Sequence, residues 1–413
     1  MKFIHTADIH FGMENYGRID PSTGIHSRLL DFERALTFIV DTALEENIDF
    51  FLFSGDAYKT ATPSPTQQKL LMNSLFRLYK AGIPVIIIVG NHDNPLSFGK
   101  ATALDVFSTL PLDGFHVFSK PRPLRLETKS GPVQIVGIPW PSRTNIALKD
   151  EHKITTSQEV TSYLSNSVTK IIRHLADELD PHIPSVLAGH LTVSSGIFSG
   201  SERRAIYGTD PLFLPSQLGI KPFDYVALGH LHRYQNLNEG NYPAIIYSGS
   251  PERVDFGERN EEKGFCLVNL IKDATTHEFI KTPTRDFIQF DIELNAQENQ
   301  TEQILEEINK KRIAGAIIKI IYYLPADVDD TVDLKKIQRA CQEAMYLVGI
   351  FPIRPIAQRK NRSLNITSSK PEDLFVQYIM QKESLASKKD QLLEKLAHLQ
   401  NISNEKEKDD TQA

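Results

Sequence analysis

Five short apolar runs in this chain each break at a small residue and pass straight into side chains suited to binding metals or moving protons. Phe3–Ala7 leads into Asp8, Asp49–Gly55 into Asp56, and Val85–Gly90 into Asn91 and His92. Ser185–Gly189 leads into His190, and Tyr225–Gly229 into His230, Leu231 and His232. Continuous apolar runs, rather than alternating ones, suit strands covered on both faces. Amphipathic stretches of helical length, Ser27–Glu46 and Pro65–Lys80, lie between the first three. That rhythm predicts an α/β core with largely parallel strands. In such cores ligands collect beyond the carboxyl ends of the strands, so all five break points are expected on one rim.

Length and composition leave room for more than one domain. The 413 residues suffice for two or three, and 40% hydrophobic with 24% charged residues is ordinary for a globular protein. No apolar run approaches the roughly 18 residues that suggest a membrane span, and the start at Met1–Asp8 lacks the apolar stretch of a secretory signal. Cys266 and Cys341 stand far apart, outside any metal-type spacing, and read as buried reduced thiols. A cytoplasmic protein without membrane contact is the expectation. The net charge of −6 does not advertise a nucleic-acid binder. It does not exclude one either, because bound cations are not counted in a formal charge.

After a closing strand at Phe265–Leu270 the pattern changes. Phe287–Leu294 and Ala316–Leu324 read as strands, Gln300–Lys311 and Asp333–Tyr346 as helices, and Gly349–Ile356 as an extended piece. This smaller unit holds no cluster of His, Asp or Cys, so it is expected to cap or shape a site rather than supply chemistry. From Lys370 the chain reads as helical, with Leu374, Phe375, Tyr378 and Ile379 on one face and Leu385, Leu392, Leu393, Leu396 and Leu399 continuing a stripe. That stripe suits either packing on its own domain or docking to a partner. The polar residues from about Asn401 onward read as disordered.

The rim clusters offer two carboxylates, an amide oxygen and several imidazoles. Hard divalent cations want oxygen, whereas imidazole suits manganese, iron, zinc or cobalt. A mixed set of this size points to a binuclear site, in which two cations about 3.5–4 Å apart clamp a phosphate and activate water. Each fragment alone is weak, because Asp-x-His is frequent by chance and a lone His beside an apolar run is usually packed core. His230-x-His232 is stronger, since alternation along a strand puts both rings on one face. Five fragments at the same topological place decide the reading.

Asp8-Ile9-His10, Gly55-Asp56, Gly90-Asn91-His92-Asp93, Gly189-His190 and Gly229-His230-Leu231-His232 resemble the calcineurin-like metallophosphoesterase signature. Phe3–Asp8, Gly189–Val193, Tyr247–Pro251 and Glu262–Phe265 narrow the resemblance to the SbcD-type nuclease subunits of prokaryotic SbcC–SbcD complexes. It is specific through about residue 270. The resemblance implies a four-layer αββα sandwich over residues 1–280, a smaller α/β capping domain over 281–358, a C-terminal helical segment at 359–400 and a disordered tail at 401–413. It places Asp8, His10 and His232 on one metal, Asn91, His190 and His230 on a second, and Asp56 between them. His92 is then the catalytic side chain beside the leaving oxygen, and Asp93 orients it.

The activity so implied is metal-dependent cleavage of DNA phosphodiesters, as duplex exonuclease and single-strand or hairpin endonuclease, with manganese the family-typical ion. The implied partners are DNA and an SbcC-type coiled-coil ATPase, with a homodimer inside a heterotetramer and apolar faces on Pro65–Lys80 and Lys100–Leu110 at the dimer interface. The alternative is a phosphoesterase of the same scaffold acting on nucleotides or other small phosphodiesters. Two positions depart from the family: Ile9 stands where an aromatic is common, and Lys59 where a His usually follows the bridging Asp. Lys59, Arg203 and Arg204 are candidate DNA contacts, with Arg359, Lys360 and Arg362 as further basic residues. His5 is assigned to packing or to support of the ligands.

Overall fold

The computed structural model describes residues 1–95, 100–109, 113–142, 156–200, 210–325, 328–354, 375–376, 379 and 389–397. Arg203, Arg204, Arg359, Lys360 and Arg362, the tail at 401–413 and all of 359–400 except 375–376, 379 and the helical stretch 389–397 lie outside the described residues.

The core is two six-stranded sheets packed face to face. The first contains β1 (Lys2–Thr6), β2 (Phe50–Phe53), β3 (Val85–Ile88), β4 (Phe115–Phe118), β13 (Gly264–Asn269) and β14 (Thr276–Lys281), in the order β14-β13-β1-β2-β3-β4. The second contains β5 (Arg122–Thr128), β6 (Gly131–Ile138), β7 (Ser185–His190), β10 (Tyr225–Gly229), β11 (Gln235–Asn236) and β12 (Ala244–Tyr247), in the order β11-β12-β10-β7-β6-β5. β1 through β4 run parallel, as do β6, β7, β10 and β12; antiparallel pairing adds β13 and β14 at one edge of the first sheet and β5 and β11 at the two edges of the second. A small pair, β8 (Thr192–Val193) with β9 (Leu212–Phe213), follows the end of β7.

Alternation along each strand explains why the runs are apolar throughout. Phe3, Phe50, Leu52, Ile86 and Ile88 point between the sheets, where they meet Val186, Ala188, Tyr225 and Ala227. Their neighbours Ile4, Phe51, Phe53, Val85 and Ile87 point outward under α1 (Ser27–Glu45) and α2 (Pro65–Lys80). On the far side Leu187, Val226 and Leu228 point under α4 (Ser157–Asp177). The result is the expected helix–sheet–sheet–helix layering. α2 starts on a full capping box, with Ser64 and Gln67 bonding each other's backbone N–H and Pro65 in the first turn. The Lys100–Leu110 expectation contracts to α3 (Asp105–Thr109), and a short α5 (Pro215–Leu218) precedes β10.

A three-stranded parallel sheet, β15 (Phe287–Glu293), β16 (Ile317–Tyr323) and β17 (Tyr346–Ile353), forms a second core with α6 (Gln300–Asn309) and α7 (Leu334–Ala340). The helix expected over Asp333–Tyr346 ends at Ala340, because the β-rich stretch from Tyr346 pairs in parallel with β16. Cys266 and Cys341 are free and buried, one in each core. No helix among the described residues is long and apolar enough to cross a membrane.

Asp31 on α1 fastens this unit to the sandwich. Arg285, just before β15, binds it bidentately, Nε to Oδ2 at 2.9 Å and Nη2 to Oδ1 at 2.7 Å. Fully buried Arg28 donates to the same carboxylate at 2.7 Å and lies over the rings of Phe32 and Phe287. Burial by itself would raise the Asp31 carboxyl, but the bonds and charges of Arg285 and Arg28 outweigh it and hold the group below its ordinary value. Asp31→Ala leaves buried Arg28 with only the more distant Glu252, 3.8 Å away, and is expected to cost about 3–5 kcal/mol, read as a lower urea midpoint. Because the folded value lies below the unfolded one of about 3.9, the stabilisation is complete above that pH and is lost as pH falls through the folded value. The acid limb of a stability curve should therefore be shallower in the variant. An unchanged midpoint would show that Asp31 carries no such load.

Candidate metal centre

All five break points meet where the two sheets end together. β1 delivers Asp8 and His10, β2 Asp56, β3 Asn91 and His92, β7 His190, and β10 His230 and His232. The turns that do this leave Asp8, His10, Asp56 and His230 with positive φ of 55°, 47°, 57° and 103°. Such backbone is uncommon for residues with a Cβ and costs on the order of 1–3 kcal/mol each. It is held by cross-loop bonds: Asp8 N to Gly55 O at 2.9 Å, His10 N to Asp56 O at 3.1 Å, and Phe11 N to Ala57 O at 3.0 Å.

Asp56 sits between the two halves. Its Oδ2 lies 3.7 Å from His10 Nε2 and 3.3 Å from His190 Nε2, while Oδ1 accepts from the His92 backbone at 2.9 Å. On one side, His10 Nε2 and His232 Nε2 face each other at 3.0 Å, with Asp8 close enough to complete a three-ligand group. On the other side, Asn91 Oδ1 lies 2.9 Å from His190 Nε2 and 3.1 Å from His230 Nδ1, and Asp56, His190 and His230 form a second group. His10, Asp56 and His92 make a third grouping.

The donor set suits cations. Ring partners define which nitrogens stay free: His190 Nδ1 bonds Ser54 O at 2.8 Å, and His232 Nδ1 bonds Glu258 Oε1 at 2.8 Å. Each partner is an acceptor, so each Nδ1 carries a proton and each Nε2 is the atom turned to the centre. His10 Nδ1 is buried without a partner. Burial pushes Asp8 up to about 7 despite the opposing charges of His190 and His232. Burial would also raise Asp56, but the charge and hydrogen bond of His190, with His10 and His92, hold it well below the carboxylate range. His190 is driven up to about 9, since Asp56 and Asp8 overcome the lowering by burial, whereas burial wins at His10 and takes it well below the usual value. Buried anions and imidazoles that must share protons are the setting in which a divalent cation replaces those protons.

His92 is only partly buried, and its Nδ1 lies 2.9 Å from the Lys59 carbonyl. That carbonyl accepts Nδ1–H, which leaves Nε2 as the atom able to exchange a proton. This differs from the expectation that Asp93 orients the ring. The Asp93 carboxylate instead accepts three backbone N–H groups, from Ala57 at 3.2 Å, Tyr58 at 3.0 Å and Gly90 at 3.1 Å. It ties the loop after β2 to the loop after β3, and so sets His92 through the main chain. His5 is fully buried between the sheets, bonding Tyr225 OH and Leu228 O at 3.2 Å each, and burial lowers it to about 3. The half-buried Lys59 lines a cavity of about 440 Å³ with Met13, Asn15, Tyr16 and Asp255.

The profile described as calcineurin-like phosphoesterase matches residues 1–234. The chain belongs to this family. The SbcD component of nuclease SbcCD from Bacillus subtilis (strain 168) is 27% identical over 373 residues, 88% of this chain and 87% of that protein. The protein of the same name from Staphylococcus epidermidis is 26% identical over 312 residues, 74% of this chain and 75% of that one. Among solved structures, a dimetal phosphatase from Danio rerio aligns with a TM-score of 0.41 at 10% identity, covering 68% of this chain and 95% of that chain.

Dependence on divalent metal follows from membership in the calcineurin-like phosphoesterases together with these donor groups. Three residues beside the centre escaped the sequence reading. Glu258 holds His232, Asp210 Oδ2 lies 3.4 Å from His230 Nε2, and the sole tryptophan, Trp140, has its ring 4.9 Å from that of His230. All three lie outside the break-point motifs, so no local signal marks them.

Gly90 and Gly55, both at the centre, have no room for a side chain. A Cβ on Gly90 would lie 2.2 Å from Asp56 Oδ1, and one on Gly55, whose φ is 101°, would lie 2.3 Å from His190 Nδ1. Gly90→Ala is therefore expected to destabilise the protein by about 1–3 kcal/mol through overpacking and to displace Asp56. Thermal unfolding with and without manganese reads both effects. A variant with the parent midpoint and the parent metal-induced shift would contradict the close approach.

Proposed function

We propose that this chain is the metal-dependent DNA nuclease subunit of an SbcC–SbcD-like complex that processes DNA ends. The observation that carries the reading is Asp56 between two groups of ligands, each drawn from both sheets, joined to family membership and to relatives named as nuclease subunits. Asp8, His10 and His232 would hold one divalent cation, Asn91, His190 and His230 a second, with Asp56 shared, and manganese is the ion we assign. When bound, the cations supply Lewis-acid stabilisation of the phosphate and activation of water.

The chain's own residues do the rest. The Lys59 carbonyl holds His92 Nδ1–H in either charge state, so His92 Nε2 gives up its proton toward the leaving oxygen. The bond from His92 N to Asp56 Oδ1 fixes the distance between that imidazole and the shared carboxylate. The half-buried Lys59 ammonium offers a charge to a DNA phosphate beside the same loop. Arg203 and Arg204 remain DNA contacts in this reading. The assembly we propose is a homodimer bound to a coiled-coil ATPase, with the dimer formed through the faces of α2 and α3.

Linear duplex, hairpin and single-stranded DNA, incubated with manganese and the ATPase partner, test the proposal. Cleavage should stop on chelation and return with manganese. His92→Ala should lose about 10²–10⁴-fold in rate, the range for a general acid, with cation binding retained. Hydrolysis of bis(p-nitrophenyl) phosphate without cleavage of any DNA form would favour a small-diester phosphoesterase instead.

A further inference from the structure

One buried charge pair grips His232 at both ends. The ring donates from Nδ1 to Glu258 Oε1 at 2.8 Å, and the main-chain carbonyl accepts from Lys263 Nζ at 3.0 Å. Glu258 and Lys263 are themselves 2.8 Å apart, and both side chains are fully shielded from solvent. Each has a further anchor: Glu258 Oε2 accepts from Val254 N at 2.9 Å, and Lys263 lies 3.2 Å from Glu261.

The other candidate ligands are supported differently. His190 rests on the neutral Ser54 carbonyl, and His10 Nδ1 has no partner. Asp210, near His230, stands off at 3.4 Å and is partly open to solvent. His232 is thus the imidazole among them backed by a fully buried carboxylate. A carboxylate behind a ligating imidazole fixes its tautomer and makes its free nitrogen a stronger base. Stability alone explains the pair poorly, since a buried ion pair contributes little over an apolar pair of the same shape.

We propose that Glu258, itself set by Lys263, is the positioning residue that holds the His232 ring through Nδ1–H and so aims Nε2 at His10 and Asp8, which makes Asp8–His10–His232 the tighter cation position. The inference rests on the metal-centre reading above. Manganese titration of the full chain, followed by the electron paramagnetic resonance of the free ion, resolves tight from weak binding. Glu258→Gln should weaken the tight class about 10–100-fold, the usual loss on removing such a support, and leave the weak class unchanged. Because Glu258→Gln removes the closer of the two carboxylates on buried Lys263, a second variant, E258Q/K263M, removes both buried charges and should restore metal-free thermal stability toward that of the parent. Its tight-site affinity should remain low.

Parent-like tight binding in Glu258→Gln would overturn the inference. So would its return in E258Q/K263M, which would mark the pair as packing alone. Failure of the parent protein to bind manganese at all would overturn the metal-centre reading and this inference together.

Discussion

The site depends on one arrangement, a buried carboxylate held between imidazoles that come from two different sheets. Asp56 leaves β2 of the first sheet, while His190 leaves β7 of the second. They meet only because both sheets end at the same level across a dry interior of Phe3, Phe50, Leu52, Val186, Ala188 and Tyr225. The join between the layers is direct: Ser54 O, one residue before Gly55, accepts from His190 Nδ1 at 2.8 Å. An isolated carboxylate at that depth would be driven to take a proton. Asp56 remains an anion because His190, His10 and His92 surround it. The two sheets are therefore as much part of the centre as its ligands.

Holding that arrangement requires backbone that the chain would otherwise avoid. Four of the candidate ligands have left-handed φ, and none of them is a glycine. Asp93 braces one of them, Asp56, from the neighbouring loop. By accepting from Ala57, Tyr58 and Gly90, it fuses the loops after β2 and β3 into one piece, so strain in either loop is borne by both. The Lys59 carbonyl belongs to the same piece, and it is this carbonyl, rather than a side chain, that His92 leans on. A side-chain substitution at position 59 consequently leaves the acceptor in place. That explains how position 59 can carry a lysine without releasing the His92 ring.

Much of this was readable from residues near one another in the chain. Ser64-Pro65-Thr66-Gln67 announces α2 through its cap, and the apolar runs of β1, β2, β3, β7 and β10 announce strands covered on both faces. The break points carry the donor atoms themselves. What escaped the reading depends on how loops return. Glu258 reaches His232 from 26 residues away, in a stretch of Val254–Glu261 that has no periodicity to read. Asp93 sits beside His92 in sequence, yet its carboxylate turns back toward the loop of Ala57 and Tyr58, which adjacency cannot reveal. The helix expected through Tyr346 stops at Ala340, since parallel pairing with β16 overrides local preference.

The support for His232 also ties the centre to the smaller unit. Glu258 ends the one-turn helix Phe256–Glu258, and Phe256 at the other end packs on Phe287 at 5.0 Å and on Tyr16 at 5.3 Å. Phe287 opens β15, next to the Arg285 that grips Asp31. A single short turn thus touches the smaller unit with one residue and a candidate metal ligand with another. Such a turn cannot bend between its two ends without breaking the Asp255 and Glu258 bonds that define it. Any displacement of β15 that moves Phe256 must therefore be absorbed at Glu258 or resisted by the Asp31 clamp. Arg28 joins the two ends of this path, since it donates to the Asp31 carboxylate and lies over the Phe287 ring on which Phe256 packs.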